Sequence, residues 1–491
     1  MPALGDHMAS LTEAAALRLA LPPPPGGGRA QGGPHDSSVH REGQGYGLLA
    51  GIIEGGTNDT VHDPRLFWNI AAPSSFFICG SQGSGKSHTL SCLLENALAH
   101  GVASVLRHPL TGLVFHYDTF NSDSGGSPCE AAYLSSNSAI KVRVLCPPTN
   151  IRTMKRLYSQ FPNITVEELR LSQGDLNTKR MLDLMAVSND GPTPLYLAVN
   201  TNDEGFNYTE FKKRLENECL TKMQLGPLRQ RLELLESFMV KSHAKTGTDW
   251  TPQSGLLTIV DLSCPCVTAE TACSLFNICL SLFLEQDSAL VGRVVALDEA
   301  HKYMVESAAE SAALTEALLA TIRLQRHLGT RVLVSTQEPT ISPKLLDLCS
   351  CTIVHRFTLP AWLSALKQHL AGVSSGAKLL DRAALSGLRR AGEWDVSGGG
   401  DGAMGGLLGS ARVDDPALEL FPRIVGLRVG EALLFAPSAI IGVARENDVS
   451  EASDGGGGGG LGEVKRLGRG VPRVRIRNRT MADGGRSVMA A

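Results

Sequence analysis

Short apolar segments alternate with stretches of helical periodicity along most of this chain. The run 294–297 is continuously apolar, whereas the stretch HTLSCLLENALAH from His88 has its apolar side chains at helical spacing. Strands are predicted within the following segments: Gly47–Ile53, Phe76–Cys79, Gly112–Asp118, Lys141–Cys146, Gly255–Ser263, Arg293–Met304, 330–339, Cys351–Phe357 and Gly426–Ile440. The segment Arg65–Ile70 is expected to lead from the first of these strands into the second. This alternation predicts an α/β fold, a mainly parallel sheet with helices on both faces.

The pattern becomes helical between Pro147 and Asp249. Four helices are predicted there, at Asn150–Phe161, Asp175–Val187, Thr209–Leu220 and Leu228–Val240. We interpret residues 147–250 as a helical insertion or lid that separates the first part of the core (47–146) from the second (251–395). The charged run Lys212–Arg214 is interpreted as solvated helix surface rather than a nucleic-acid site.

Three stretches of biased composition lie outside these segments. Residues 1–46 contain PPPPGGGRAQGGPHDSS and too little apolar surface to offset chain entropy, so we expect them to be disordered. Residues 396–418 predict a low-complexity loop, followed by terminal strands of the core at 419–445. The Gly-rich run in 446–491 predicts a linker that releases a basic tail from the core.

Charge is distributed unevenly along the 491 residues. The net charge is −3, but the segment 461–491 carries eight Lys and Arg against two acidic residues, so the rest of the chain is at −9. A body this acidic does not attract DNA over its whole surface, and DNA contact is expected only in a pore or at the tail. The tail is equally typical of a nuclear-import signal or a solubilising end.

Membrane and secretory signals are absent from the pattern, and the cysteines do not have zinc-ligand spacing. No run of 18 apolar residues occurs, so we expect no membrane association and an intracellular, soluble protein of the nucleus or cytoplasm. The 11 cysteines are scattered, and the pairs Cys264/Cys266 and Cys349/Cys351 lack the usual two-residue gap. Buried free thiols are the prediction.

A phosphate-binding loop follows the segment Phe76–Cys79. Its glycines free the backbone so that successive N–H groups can surround a β-phosphate, while Lys86 can reach the β- and γ-phosphates and the Ser87 hydroxyl can ligate Mg²⁺. The helix that begins here adds its partial positive charge. The predicted nucleotide-binding residues are Gly80, Ser81, Gln82, Gly83, Ser84, Gly85, Lys86, Ser87 and His88, and the predicted cofactors are ATP and Mg²⁺.

Two acidic residues follow the apolar run 294–297. Burial of that run as a central strand brings Asp298 and Glu299 to the carboxyl edge of the sheet, beside the loop. Asp298 then suits the Mg²⁺ shell, and Glu299 can polarise a water for in-line attack on the γ-phosphate. At the end of the next strand, the amide of Gln337 could touch both γ-phosphate and water, although a turn role is also open.

Two arginines precede that strand. Arg323 and Arg326 are three residues apart on one helical face, near the expected edge of the nucleotide site. Either could cross a subunit boundary and stabilise transition-state charge in a neighbour's site. Plain surface arginines are the competing interpretation.

Taken together, GSQGSGKS, VVALDEAHKY, RLQRHLGTRVLVSTQEP and GEALLF resemble the HerA/FtsK family of P-loop ATPases, and its HerA branch in particular. The resemblance implies a RecA-like core, a hexameric ring and ATP hydrolysis coupled to DNA translocation. It also implies that Lys86 and Ser87 are phosphate and Mg²⁺ ligands, that Asp298 and Glu299 hold metal and water, that Gln337 is a γ-phosphate sensor, and that Arg323 or Arg326 acts in trans.

One departure from the family lies at the amino-terminal end. HerA proteins generally begin with a small β-barrel that helps ring assembly and docks a nuclease, and too few ordered residues precede Phe76 here. This weakens the expectation of a nuclease partner and of a stable hexamer. Two functions are therefore open, a DNA-translocating ring ATPase and an ATP-dependent switch or assembly platform that moves no polymer.

Overall fold

The computed structural model describes thirteen stretches of the chain. They are residues 45–54, 64–119, 126–177, 179–181, 207–217, 229, 232–240, 247–287, 291–305, 308–366, 416–443, 464–468 and 470–481. Of the segment 1–46 that was predicted to be disordered, residues 1–44 lie outside these residues, whereas Gly45 and Tyr46 begin the first strand, contrary to that prediction. Most of the loop predicted at 396–418 and the Gly-rich run 455–460 also lie outside these residues.

Fifteen strands occur in the described residues. They are β1 (Gly45–Glu54), β2 (Arg65–Asn69), β3 (Ser75–Cys79), β4 (Ser104–Leu106), β5 (Thr111–His116), β6 (Lys141–Cys146), β7 (Ile164–Glu168), β8 (Leu256–Asp261), β9 (Arg293–Leu297), β10 (Thr330–Thr336), β11 (Cys351–Val354), β12 (Glu431–Phe435), β13 (Ile440–Val443), β14 (Val464–Arg466) and β15 (Arg473–Ile476).

The α-helices connect these strands. They are α1 (Lys86–Leu98), α2 (Ile151–Tyr158), α3 (Tyr208–Asn217), α4 (Ala269–Glu285), α5 (Ala309–Arg323), α6 (Pro343–Leu348) and α7 (Pro416–Val425). Within the described residues, no helix has the length and apolar character needed to cross a membrane.

Eight neighbouring strands form a parallel sheet in the order β11-β3-β10-β9-β5-β8-β6-β7. Strands β3, β5, β8, β9, β10 and β11 are buried along their whole length, as expected for parallel strands covered on both faces. Adjacent side chains alternate between two cores, since Phe77 packs with α4 and α5 whereas Phe76 and Ile78 pack with α1. The predicted α/β fold is confirmed.

The chain segment predicted to be a free basic tail is part of the sheet. An antiparallel flank continues the parallel sheet in the order β11-β12-β15-β1-β2, and β15 pairs with both β12 and β1. Val474 and Ile476 of β15 are buried. The prediction that 446–491 lies wholly outside the core is therefore wrong for β15. Its alternate apolar residues pack on one face of the sheet, and the arginines between them form ion pairs with a carboxylate.

The segment 147–250 is not wholly helical. The predicted helices are confirmed as α2, α3 and the helical residues 232–238, while most of the one predicted at Asp175–Val187 lies outside the described residues. However, β7 was missed, and it pairs in parallel with β6 at the sheet edge. Its sequence ITVEE alternates in burial, which is typical of an edge strand with one solvated face.

Candidate functional site

The phosphate loop connects β3 to α1 at the carboxyl edge of the sheet. Gly80, Gly83 and Gly85 have φ values of 152°, 72° and 113°, all in the region that side chains disfavour. At Gly80 space is restricted too, because a Cβ there would lie 2.6 Å from the Cβ of His355. The backbone freedom predicted for the glycines is therefore used by this loop.

Hydrogen bonds from other segments of the chain hold the loop in place. The backbone N–H and the hydroxyl of Ser81 both donate to the carbonyl of Arg356, each at 2.8 Å. Ser84 Oγ donates to the Ser81 carbonyl at 2.7 Å, and Gly430 N–H donates to the Ser84 carbonyl at 3.2 Å. The loop is thus preorganised by the segments that follow β11 and precede β12.

Strand order brings the predicted chemical residues to this loop. Strand β10 lies between β3 and β9, with Thr336 opposite Cys79 and Val334 opposite Leu297. All three strands are parallel, so the residues after them share one edge. As predicted, Asp298, Glu299 and Gln337 lie beside the loop.

Glu299 is held in an uncommon backbone conformation. Its φ and ψ of 49° and 44° are left-handed, which for a residue other than glycine costs on the order of 1–3 kcal/mol and persists only where the surroundings impose it. Its carboxylate accepts a hydrogen bond from Gln337 Nε2 at 3.0 Å and lies 4.0 Å from Lys86 Nζ. Gln337 therefore contacts the carboxylate predicted to activate water.

His301 also orients Glu299, and sequence reasoning did not select it. Its Nδ1 accepts from the Gln337 backbone N–H at 3.3 Å, which leaves the proton on Nε2, 3.5 Å from Glu299 Oε2. Burial lowers the pKa of His301, with the Glu299 charge opposing, so the ring is neutral at pH 7. The sequence feature that could have identified His301 is its position two residues after Glu299, in the same polar segment.

Lys86 is 3% exposed and folded over the loop, where its Nζ donates to the Ser81 carbonyl at 3.1 Å. Burial lowers the pKa of this ammonium, and the carboxylates of Glu299 and Asp298 oppose that shift. A nucleotide's phosphates would add negative charge to that of the two carboxylates and favour the charged form of Lys86.

Asp298 fits the predicted role of a cation ligand. The side chain is buried, its Oδ1 has no hydrogen-bond partner among the described residues, and its Oδ2 lies 3.5 Å from His116 Nδ1. A buried carboxylate oxygen without a donor is suited to a hard cation such as Mg²⁺. The half-buried Ser87, at the start of α1, offers the hydroxyl that such an ion would share.

The loop opens into a cavity of about 680 Å³. One wall is the phosphate loop with Glu299, and the opposite wall comes from segments far along the chain. The lining residues are Gln82, Gly83, Gly85, Lys86, Ser87, His88, Glu130, Glu299, Arg428, Val429, Gly430, Arg475, Ile476 and Asn478. Arg475, Ile476 and Asn478 were assigned to the tail, and no feature of the sequence indicated that they reach the site.

A charged network fixes that second wall. Glu431 accepts hydrogen bonds from Arg473 and Arg475 and from the backbone N–H of Arg428 at 3.0 Å. Although burial raises the pKa of Glu431, these donors lower it to about 2. The carbonyl of Glu431 also accepts from His355 Nδ1 at 2.9 Å, and His355 Nε2 lies 2.9 Å from Thr89 Oγ1 in α1.

The structure does not bring Arg323 and Arg326 to the cavity. Both are exposed: Arg323 is the last residue of α5, and Arg326 lies in the turn before β10, where the Gly329 carbonyl accepts from Arg293 N–H at the beginning of β9. This is the amino edge of the sheet, roughly 20 Å along β10 from the phosphate loop at about 3.3 Å per residue. The expectation that they lie near the nucleotide site of their own chain is wrong, because a helix preceding a parallel strand ends at that strand's amino edge.

Comparison with known proteins assigns no family to this chain. No protein-family model and no curated protein matches the chain. Among solved structures, VirB4 of Thermoanaerobacter pseudethanolicus is similar over 83% of this chain and 96% of that one, at 13% identity and a TM-score of 0.41. Values this low carry no argument about function.

Proposed function

We propose that this protein binds and hydrolyses ATP at the cavity between the phosphate loop and β15. The observation that carries the proposal is the position of Glu299, a carboxylate 4.0 Å from Lys86 Nζ and hydrogen-bonded to Gln337 at the mouth of a preorganised phosphate loop. A nucleotide-binding module without catalysis has no need of a strained acidic residue at that point.

The topology supports one orientation of the nucleotide. Glu299 and Gly430 line the cavity on opposite sides of the phosphate loop, because β9 and β12 lie on opposite sides of β3 in the sheet. With the γ-phosphate toward Glu299, the triphosphate follows the N–H groups of the loop to the first turn of α1. The ribose and base then extend to Val429, Arg475 and Asn478.

The proposed mechanism assigns one task to each polar group. Glu299 takes a proton from the attacking water, and Gln337 and His301 hold its carboxylate in position for that transfer. Lys86 leaves the Ser81 carbonyl and neutralises charge that develops on the β- and γ-phosphates. When bound by Ser87 and Asp298, Mg²⁺ would supply further positive charge to the same oxygens.

A ring-shaped motor of the HerA type is the first candidate for what hydrolysis drives. The resemblance of four sequence motifs supports it, and it requires that Arg323 or Arg326 act in the site of a neighbouring chain. A homo-hexamer with DNA in its pore, in the nucleus or cytoplasm, is the proposed assembly. A nuclease partner is not required by it.

An ATP-dependent switch or assembly platform is the second candidate, and one observation favours it. Four arginines of the segment expected to contact DNA are engaged within the chain: Arg473 and Arg475 with Glu431, Arg477 with Glu95, and Arg479 with Glu130. Arginines that are already paired with carboxylates bind DNA phosphates less strongly than unpaired ones.

Two questions are tested by ATPase rates with and without duplex DNA, measured on wild type and Lys86→Ala. The first is whether ATP is hydrolysed at this site, and the second is whether hydrolysis drives a DNA motor or a switch. Loss of tight ATP binding or turnover in Lys86→Ala supports the site, and unchanged hydrolysis would rule it out. Strong stimulation of wild type by DNA, together with a ring-sized mass in ATP, supports the motor. DNA-independent turnover supports the switch.

A further inference from the structure

Three metal-ligating side chains of different type meet behind the cavity. His116 is the last residue of β5, Cys129 lies before the 3₁₀ helix Glu130–Ser136, and Asp298 follows β9. Their exposed fractions are 5%, 0% and 3%. A histidine and a carboxylate are costly to remove from water unless they are paired or share a ligand, and the adjacent thiol supplies a third atom that can bind a metal.

The spacing of the three side chains fits a single ion. One ligand atom from each lies within 4.8 Å of the other two. His116 Nδ1 is 3.5 Å from Asp298 Oδ2, and Cys129 Sγ is 4.0 Å from the same oxygen. Bond lengths of about 2.0 Å to nitrogen or oxygen and about 2.3 Å to sulfur give tetrahedral edges of roughly 3.3–3.6 Å, so only a small contraction is needed.

The polar atoms at this place lack other partners. Among the described residues, neither ring nitrogen of His116 has a hydrogen bond, and neither does Asp298 Oδ1. Each unsatisfied buried group costs on the order of 1–3 kcal/mol. The 3.5 Å approach of His116 to Asp298 therefore does not by itself account for the cluster.

We propose that His116, Cys129 and Asp298 form a binding site for a thiophilic transition-metal dication of the zinc class. Three protein ligands leave a fourth tetrahedral position open. The sulfur excludes Mg²⁺, which prefers oxygen ligands alone. Asp298 serves both ions, Oδ2 toward His116 and Cys129 and Oδ1 toward Mg²⁺, so the site lies directly beside the nucleotide phosphates.

The cluster lies next to the cavity and has a second layer of support. Glu130 and Glu299 line the cavity, and they are the chain neighbours of Cys129 and Asp298. Behind the cluster, the Cys129 backbone N–H donates to Tyr158 Oη at 3.0 Å, and Tyr158 Oη donates to Asp261 Oδ2 at 2.6 Å. Such outer hydrogen bonds keep metal ligands oriented.

Cobalt(II) is the probe that tests this site, because it replaces zinc and its bond to a thiolate absorbs light. The full chain, freed of metal and nucleotide, is titrated with Co²⁺ in excess Mg²⁺. We expect a thiolate-to-cobalt charge-transfer band that saturates at one equivalent and persists in Mg²⁺. Absence of the band, or its loss on addition of Mg²⁺, overturns the proposal.

Variants then locate the ion. Cys129→Ser and His116→Asn should each reduce the band to background, whereas Cys146→Ser, which changes another buried thiol, should retain it. A band that survives in both ligand variants means that the metal lies elsewhere. If these variants do not fold, X-ray absorption of the zinc-loaded wild type decides, since one sulfur among nitrogen and oxygen ligands is required and any other sulfur count refutes the site.

The outcome is separable from that of the ATPase proposal. Lys86→Ala removes the main phosphate-binding charge and none of the three ligands, so the cobalt band is expected unchanged in that variant. Loss of turnover with an intact band supports both proposals. Normal turnover in wild type without any band leaves the ATPase assignment standing and rejects the metal site.

Discussion

Arg477, four residues from the end of the described chain, forms a buried ion pair with Glu95 of α1. The two charged groups are 2.7 Å apart, and their side chains are 4% and 5% exposed. Arg477 Nε also donates to the Leu48 carbonyl at 2.8 Å, and an Nη donates to Asn96 Oδ1 at 2.9 Å. One residue after β15 thus ties that strand to β1 and α1.

Replacing Arg477 by methionine should destabilise the protein by about 3–5 kcal/mol, the usual cost of leaving a buried charge unpaired. Deletion of 461–491 should be worse, because it also removes β15, contrary to what composition alone suggested. Denaturant unfolding measures both. Arg326→Met, at an exposed position, is the control and should change stability by at most about 0.5 kcal/mol. Equal effects of the two methionine variants would contradict the structural role of Arg477.

Glu299→Gln should retain ATP and lose about 10²- to 10⁴-fold in kcat, because the amide keeps the shape but cannot accept the proton. Binding by fluorescent nucleotide and turnover by phosphate release separate the two effects. Glu338→Gln is the matched control, because Glu338 is an exposed acid that lies two residues after the neighbouring strand β10. Normal turnover in Glu299→Gln would move the general base to another residue.

Asn478→Ala and Arg475→Ala should weaken ATP binding and reduce discrimination between ATP and GTP. Both residues line the part of the cavity where we propose that the ribose and base lie. Competition experiments with tripolyphosphate provide the control, since its affinity should be unchanged in Asn478→Ala. If tripolyphosphate and ATP weaken equally, these residues bind phosphate and the proposed orientation is reversed.

Glu431 should make stability depend on acid pH. Its pKa is about 2 in the folded protein and about 4.3 in the unfolded chain, so its contribution is complete above about pH 4.5. As the pH falls toward 2, the unfolded state takes up the proton first and the free energy of unfolding decreases. Glu431→Gln should unfold more easily at pH 7 and show a shallower decrease over this window, measured by denaturant titration. Parallel pH profiles would argue against the depressed pKa.

Arg323 and Arg326 provide a test of ring assembly. If they act in a neighbour's site, an Arg323→Ala, Arg326→Ala double variant and Glu299→Gln are each inactive alone, yet a mixture recovers some activity. Recovery arises at interfaces where an intact Glu299 faces intact arginines. Wild-type activity should also rise more steeply than linearly with concentration below the assembly threshold. If mixed oligomers are verified but no ATPase activity is recovered, we would conclude that these arginines are surface residues with no role in a neighbour's site.

Local sequence was sufficient to predict the phosphate loop. The pattern that predicts this loop consists of Gly80, Gly85, Lys86 and Ser87, which all lie within one short segment of the chain. In the structure, both glycines adopt backbone conformations that other residues adopt rarely. The apolar run 294–297 likewise predicted where Asp298 and Glu299 emerge, because buried parallel strands end at a common edge. These inferences depend on contiguous residues or on the general geometry of parallel sheets.

Long-range pairing decided the rest. In β15 the sequence RVRI has the composition of a charged tail. It forms a strand because its backbone pairs with β1 and β12 and because Glu431 of β12 pairs with its arginine side chains. Cys129 and Asp298 are 169 residues apart, and no spacing rule relates them to each other or to His116. By itself the sequence determined the glycine-rich loop after β3, the position of Glu299 at the carboxyl edge of the sheet and the α/β class. The tertiary structure decided the far wall of the cavity and the buried metal-ligand cluster, because both depend on which distant segments the sheet order places side by side.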